Sequence, residues 1–238
     1  MIKAIAFDFR DTLLKVEHGY KAMNELIWKF VVSKDIKISR TDFFDLNQTV
    51  IKEEKNKVAK NTKLHDAAPF FIRGIFRKLG LTVSKRDLDK LLDQRNVKFA
   101  SKVSLYPDAK KLLQKTKKLK LKTAVVIDGN SRRERLIIKR LKLKQYLNVI
   151  VISQEVGFNK FTAKPLAAAI KGLRVKPSEI LVIGDRVDKD IVHANTLGCV
   201  SVRLVRHGGR YASLVGTKTK QKPDYTISSL SKVSKLLT

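Results

Sequence analysis

From Tyr106 onward the chain alternates between two hydrophobic rhythms, and this alternation narrows the possible folds more than any other feature. Short aliphatic runs at residues 123–127, 149–153, 180–183 and 200–205 are separated by segments of helical spacing at 107–119, 131–143, 164–173 and 189–197. Runs that are apolar almost throughout suit strands buried on both faces. Their alternation with helices predicts a parallel sheet covered on both sides. Residues 3–9 form another such run at the N-terminus, and from Tyr20 to Phe99 no strand is visible. Residues 20–32, 41–58 and 69–79 instead carry apolar side chains at helical intervals, and Ser84 reads as the N-cap of a fourth helix. The expected architecture is therefore α/β, with a parallel-sheet core made by residues 1–15 and 103–238. An all-helical insertion spans 16–102.

The 238 residues suffice for a substantial core, since a chain of this length buries roughly 70–75% of its unfolded surface. Runs such as 124–127 and 149–152 are far shorter than the ~20 apolar residues of a membrane span. The N-terminus enters its first strand without a basic segment and a long apolar stretch, so no secretory signal is expected and the cytoplasm is the expected compartment. Cys199 is the single cysteine, which excludes an internal disulfide and a multi-cysteine zinc site. Lys and Arg total 51 against 22 Asp and Glu, a formal charge of +29. The lysines fall in nearly every segment and no aromatic stripe accompanies them. They predict a solvated basic surface with nonspecific, salt-sensitive adhesion to RNA or another polyanion, not sequence-selective recognition.

The strand ends carry the chemistry. Asp8 closes the first strand, Asp128 follows the run at 123–127, and Asp185 and Asp190 follow the run at 180–183. In open α/β sheets ligands bind beyond the carboxyl ends of the strands. Carboxylates converging there repel one another unless a cation neutralises them. Mg²⁺ suits such a set, because it takes oxygen ligands and commonly shares them between a few carboxylates, water and a phosphate. Each aspartate taken singly is also an ordinary turn or cap residue.

In this order the motifs resemble the haloacid dehalogenase-like hydrolase superfamily. They are Phe7-Asp8 with Thr12-Leu13, Pro107 with Leu112-Leu113, Glu155-Val156-Gly157, Gly184-Asp185 with Asp190, Ala194 and Leu197-Gly198, and a tail with Pro223-Asp224 and Leu230. The resemblance covers residues 1–15 and 103–238 and implies a Rossmann-like core with a helical cap inserted at 16–102. It implies that Asp8 is a nucleophile forming an aspartyl-phosphate. Thr12 would support the nucleophile loop. Asp8, Asp185, Asp190 and the backbone carbonyl of Arg10 would hold Mg²⁺. A site lysine is also implied, and two candidates stand: Lys160, at the usual gap after Gly157 and the preferred one, and Lys164, which has the usual following proline.

Two positions depart from the family's phosphatase pattern. Where a second Asp would protonate the leaving group and later activate water, this chain has Arg10, which stays charged and is a poor proton donor. Asp11 follows where the family has Gly, and would supply the carboxylate only if the loop shifted by one residue. Where a Ser or Thr would bind phosphate oxygens, this chain has Asp128-Gly129. A cation and an anion gained together suggest an Arg10–Asp128 pair; the alternative is Asp128 facing the helix that opens at Ser131. Three function classes follow. The first is a Mg²⁺-dependent hydrolase of a phosphorylated small molecule. The second is a carbon–phosphorus or carbon–halogen bond hydrolase, and the third a non-catalytic binding or regulatory module. The metal motif argues against the haloacid dehalogenases, which have no metal site. The phosphonate-cleaving relatives need a Schiff-base lysine in the cap that the sequence does not single out.

Overall fold

A computed structural model describes residues 1–61, 63, 66–207 and 221–237. Strand β1 (Ala4–Asp8) is followed by the two-residue β2 (Leu14–Lys15) and four helices: α1 (Glu17–Val32), α2 (Arg40–Lys60), α3 (Ala68–Lys78) and α4 (Lys85–Lys102). Strand β3 (Ser104–Leu105) returns antiparallel to β2, with Leu14 opposite Leu105 and Lys15 opposite Ser104. This short ribbon is the stem through which the chain leaves and re-enters the sheet region. Among the described residues of 16–102 there is no strand.

Beyond the stem come α5 (Pro107–Lys118), β4 (Lys122–Ile127), α6 (Ser131–Arg140), β5 (Val149–Ile152), α7 (Ser153–Val156), α8 (Lys164–Leu173), β6 (Ile180–Gly184), α9 (Val192–Thr196), β7 (Val200–Leu204) and β8 (Tyr225–Ile227). The sheet order is β5-β4-β1-β6-β7-β8, and every neighbouring pair is parallel. The chain moves outward from β1 in both directions, so β1 lies at the point where the strand order reverses. That crevice is where an open α/β sheet binds its ligand.

Strand pleating sends alternate residues to opposite faces. Ala4, Ala6, Ala124, Val126 and Val182 meet Leu166, Ala169 and Leu173 of α8 and Ala194 of α9. Ile5, Phe7, Val125, Ile127, Leu181 and Ile183 join a larger cluster with Leu112 and Leu113 of α5 and Ile137 of α6. The alanines on the first face allow α8 to sit close to the sheet. In the insertion, α1 and α4 approach at Gly19, where a Cβ would lie 2.7 Å from Val103 Cγ1. Tyr20 meets Phe99 edge-to-face, with ring centroids 5.0 Å apart. Ser84 caps α4 as the sequence predicts, its hydroxyl accepting from Asp87 N at 3.0 Å.

Two helices depart from their expected lengths. The segment expected as one helix over 131–143 ends at Arg140, and Lys142 takes a left-handed conformation (φ 52°) before a short 3₁₀ turn, Leu143–Tyr146. The segment expected over 189–197 opens with a π turn, Val187–Ile191, and becomes α-helical only at Val192. Among the described residues no helix is long and apolar enough to cross a membrane.

Candidate active site

The register of the central strands brings the aspartates together. Phe7 pairs with Ile183 in β6, and Asp8 with Val126 in β4, so Asp8, Asp128 and Asp185 all emerge at one edge of the sheet. Asp190 joins them through the π turn. Arg186 O accepts from the backbone N–H groups of both Asp190 (2.9 Å) and Ile191 (3.3 Å), and Asp190 Oδ2 accepts from Arg186 N at 3.1 Å. Gly184 makes this possible: a Cβ there would collide with the Asp190 carboxylate. One oxygen from each of Asp8, Asp185 and Asp190 lies within 4.8 Å of the others.

Lys160 enters this cluster from the loop before α8. Its ammonium lies 2.5 Å from Asp8 Oδ1 and 2.5 Å from Asp190 Oδ1, and donates to Val126 O at 3.3 Å. Burial alone would lower the Lys160 pKa, but Asp190 and Asp8 outweigh it and hold the ammonium charged. Asp185 is different. It makes no ion pair among the described residues, and burial together with the charges of Asp8 and Asp190 pushes its carboxyl well above the ordinary range. One lysine thus neutralises two of three acids. The third is left in a like-charged, partly buried position, the environment that a bound cation relieves. The donor set is all oxygen, which fits a hard divalent ion.

Lys160, not Lys164, reaches Asp8. Lys164 is exposed, with its ammonium 3.4 Å from the centroid of the Phe158 ring.

The pair expected between Arg10 and Asp128 is not formed. Asp128 accepts from Lys160 N at 2.9 Å and from Lys189 Nζ at 2.5 Å. Burial raises its carboxyl, but Lys189 and Lys160 hold it below the usual range. The cap of α6 is Asn130, whose side chain accepts from Arg133 N at 3.1 Å, so Asp128 is not the capping group. Arg10 turns instead to Glu134 on α6, which is fully buried. Glu134 Oε1 accepts from Arg10 Nη2 and, at 2.8 Å, from Arg133 Nε. Burial works against the charged Arg10 guanidinium, but the carboxylate of Glu134 outweighs it and raises the Arg10 pKa. Gly129 leaves room for this cluster: a Cβ would lie 2.7 Å from Arg10 Nη2. Its N–H donates to Ser153 Oγ at 3.0 Å.

Asp11 has φ 60°, a left-handed conformation that Gly adopts freely and Asp tolerates better than most residues. Its charge acts on Asp185 and Tyr106. Thr12 is fully buried with its hydroxyl unpartnered. The backbone of this loop is braced by Arg206, beyond β7, which donates to Asp11 O (3.2 Å) and Thr12 O (2.9 Å). Arg206 also makes a two-point pair with Asp108 at 2.9 and 3.0 Å and lies 3.8 Å from the Tyr106 ring centroid.

Sequence reasoning does not single out Lys189, Glu134, Arg133, Arg206 or Ser153. Glu134 looks like an exposed residue in a basic helix, Arg132-Arg133-Glu134-Arg135, and only its burial marks it. Lys189 carries one usable signal, its place inside the Asp185–Asp190 motif.

The fold, the acidic cluster and its lysine define a hydrolase-type site on an open α/β sheet. Comparison with known proteins is specific. A family model described as haloacid dehalogenase-like hydrolase matches residues 2–198, and the chain belongs to this family. It is similar to the glyceraldehyde 3-phosphate phosphatases of Methanocaldococcus jannaschii (27% identical, covering 97% of this chain and 94% of that protein) and Methanopyrus kandleri (28%, 95% and 93%). Among solved structures, the HAD phosphatase from Thermococcus onnurineus superposes with a TM-score of 0.70 at 22% identity, covering 99% of this chain and 98% of that one. The L-2-haloacid dehalogenase from Xanthobacter autotrophicus gives 0.73 at 17%, covering 100% and 98%. At such identities the superpositions establish the fold alone.

Proposed function

We propose that the chain is a Mg²⁺-dependent phosphatase of a phosphorylated small molecule, with Asp8 as nucleophile and residues 16–102 as a cap over the strand ends. The observation that carries this reading is the cluster itself: Asp8, Asp185 and Asp190 within 4.8 Å, with Lys160 bridging Asp8 and Asp190. The names of the similar archaeal proteins support a phosphate ester as the substrate class. Asp8, Asp185, Asp190 and the Arg10 carbonyl are the groups that would hold Mg²⁺. When bound, the ion would supply positive charge to the phosphoryl oxygens.

The chain's own residues do the rest. Lys160 orients the Asp8 carboxylate through its 2.5 Å contact and adds positive charge opposite the incoming phosphoryl group. An Asp8 carboxylate oxygen attacks phosphorus, the bond to the ester oxygen breaks, and water later cleaves the aspartyl-phosphate. Proton transfer is the weak step, because Arg10 cannot donate to the leaving group and is held by Glu134. General acid–base help is worth roughly 10²–10⁴-fold. Activated esters, whose leaving groups need no proton, should therefore react best. The lock on Arg10 also favours a second reading, a module that keeps the metal site and turns over little. Phosphate release from aryl and C3 sugar phosphates, glyceraldehyde 3-phosphate included, with and without Mg²⁺, tests the proposal. Mg²⁺-dependent release lost in Asp185→Asn supports it. No release from any ester, with Mg²⁺ still raising the melting temperature, favours the second reading.

A further inference from the structure

A cavity of about 610 Å³ lies between the inserted helices and the sheet edge. Arg10, two residues after Asp8, and Asp128, which accepts from Lys160 N, line it on the strand side, and Met23, Ile27 and Ile75 line it on the helical side. Among the described residues, three guanidiniums, Arg10, Arg95 and Arg133, line it with one carboxylate outside the Lys189–Asp128 pair, Asp66, and the buried Glu134 behind the lining supplies a second. Glu134 serves Arg10 and Arg133, and Asp66 lies 3.8 Å from Arg133.

Arg95 is the one left over. It projects from α4, is 7% exposed, and makes no carboxylate pair within 4.0 Å among the described residues. Its hydrogen bond is a long one to Asn96 Oδ1 at 3.3 Å, and its Nε is buried without a partner. Burial pushes its pKa down to about 10, against the pull of Asp66. A buried guanidinium without an anion is costly, and an arginine fork matches a planar carboxylate. The excess is a single positive charge, which a carboxylate monoanion balances and a second phosphate would exceed.

We propose that Arg95, with Arg133 beside it, binds a carboxylate on the substrate. The preferred ligand would then be a small phosphorylated acid, its phosphate at Asp8 and its carboxylate in this cavity. The proposal rests on the phosphatase reading and adds the second group that the site recognises.

The test is calorimetric binding in Mg²⁺, with the Asp8→Asn chain so that nothing turns over. The probes are 3-phosphoglycerate and glycerol 3-phosphate, which share a skeleton and differ in carboxylate against hydroxymethyl. We expect the acid to bind at least ~10-fold tighter, the scale of one charge-assisted contact. Adding Arg95→Gln should bring the two ligands to within about twofold of each other, with a melting curve confirming that the variant is folded. Equal affinities in the Asp8→Asn chain would overturn this proposal alone, a comparison that needs no change at Arg95. A preference that survives Arg95→Gln would overturn the assignment to Arg95. Binding of neither probe would overturn this proposal, while the phosphatase reading beneath it is judged separately by Mg²⁺-dependent phosphate release from aryl and sugar phosphates.

Discussion

Replacing Arg10 with methionine removes the guanidinium but keeps an apolar stem where the arginine lies 5.7 Å from the Phe99 ring centroid. The change leaves Glu134, which has no exposed surface, with Arg133 as its remaining cationic partner and with Oε2 still unpartnered. Breaking a buried ion pair from one side costs about 3–5 kcal/mol when the survivor has no other partner. Here the 2.8 Å contact from Arg133 persists, so about half of that, ~2 kcal/mol, is expected. For a chain of this size each kcal/mol moves the melting temperature by about 2–4 °C, giving a fall of ~4–8 °C. Thermal unfolding of Arg10→Met, Glu134→Gln and the double variant forms a cycle. The double variant should lose less than the two single losses combined, with a coupling of at least ~1 kcal/mol. Additive losses, or Arg10→Met melting within a degree of wild type, would show that Arg10 and Glu134 do not depend on each other.

Other perturbations test separate parts of the site. Arg10→Asp with Glu134→Gln restores a carboxyl two residues after Asp8 without setting it against a buried anion. It should hydrolyse an alkyl phosphate at least ~10-fold faster than wild type, with a smaller gain on an aryl phosphate; equal gains on both would point away from proton transfer. Asp108 carries a pH signature. Burial raises its carboxyl, but Arg206, Ser229 and the Leu230 N–H together lower it. A depressed folded-state pKa gives stability that is present above the ordinary carboxylate value of about 4 and is lost as pH falls through the folded value. The melting-temperature gap between wild type and Asp108→Asn should thus be largest near neutrality and close in acid; a gap unchanged across that range would refute the pairing. Any RNA binding should fall steeply with salt in a filter-binding titration, as expected of +29 spread over the surface. Sequence preference at moderate salt would contradict this.

The sheet was legible because its strands are apolar on both faces. The runs around Ile5, Val125 and Leu181 have no polar alternation and admit no other placement. The convergence of Asp8 and Asp185 followed from strand ends alone. The π turn did not, because nothing in Val187-Asp188-Lys189 forbids an α-helix; the close seat of Asp190 against Gly184 selects it. Ion pairing was the least legible. Asp128 was the acid expected for Arg10, and the pairing with Glu134 instead turns on α6 placing Glu134 inward beside Gly129 while Lys189 takes Asp128. Lys160 and Lys164 sit one helical turn apart in sequence, and only the entry of the loop before α8 decides which one reaches Asp8.

The central claim is that Asp8 takes the phosphoryl group and that Arg10, standing where an acid–base group would act, slows the water step that frees it. Rapid-quench kinetics with p-nitrophenyl phosphate in Mg²⁺ addresses both parts together. The account predicts a burst of nitrophenolate approaching one equivalent per chain, a slower steady rate, and phosphate recovered on the peptide that contains Asp8, all absent in Asp8→Asn. Nitrophenolate release that persists in Asp8→Asn, or turnover in which no phosphate is ever found on that peptide, would contradict it.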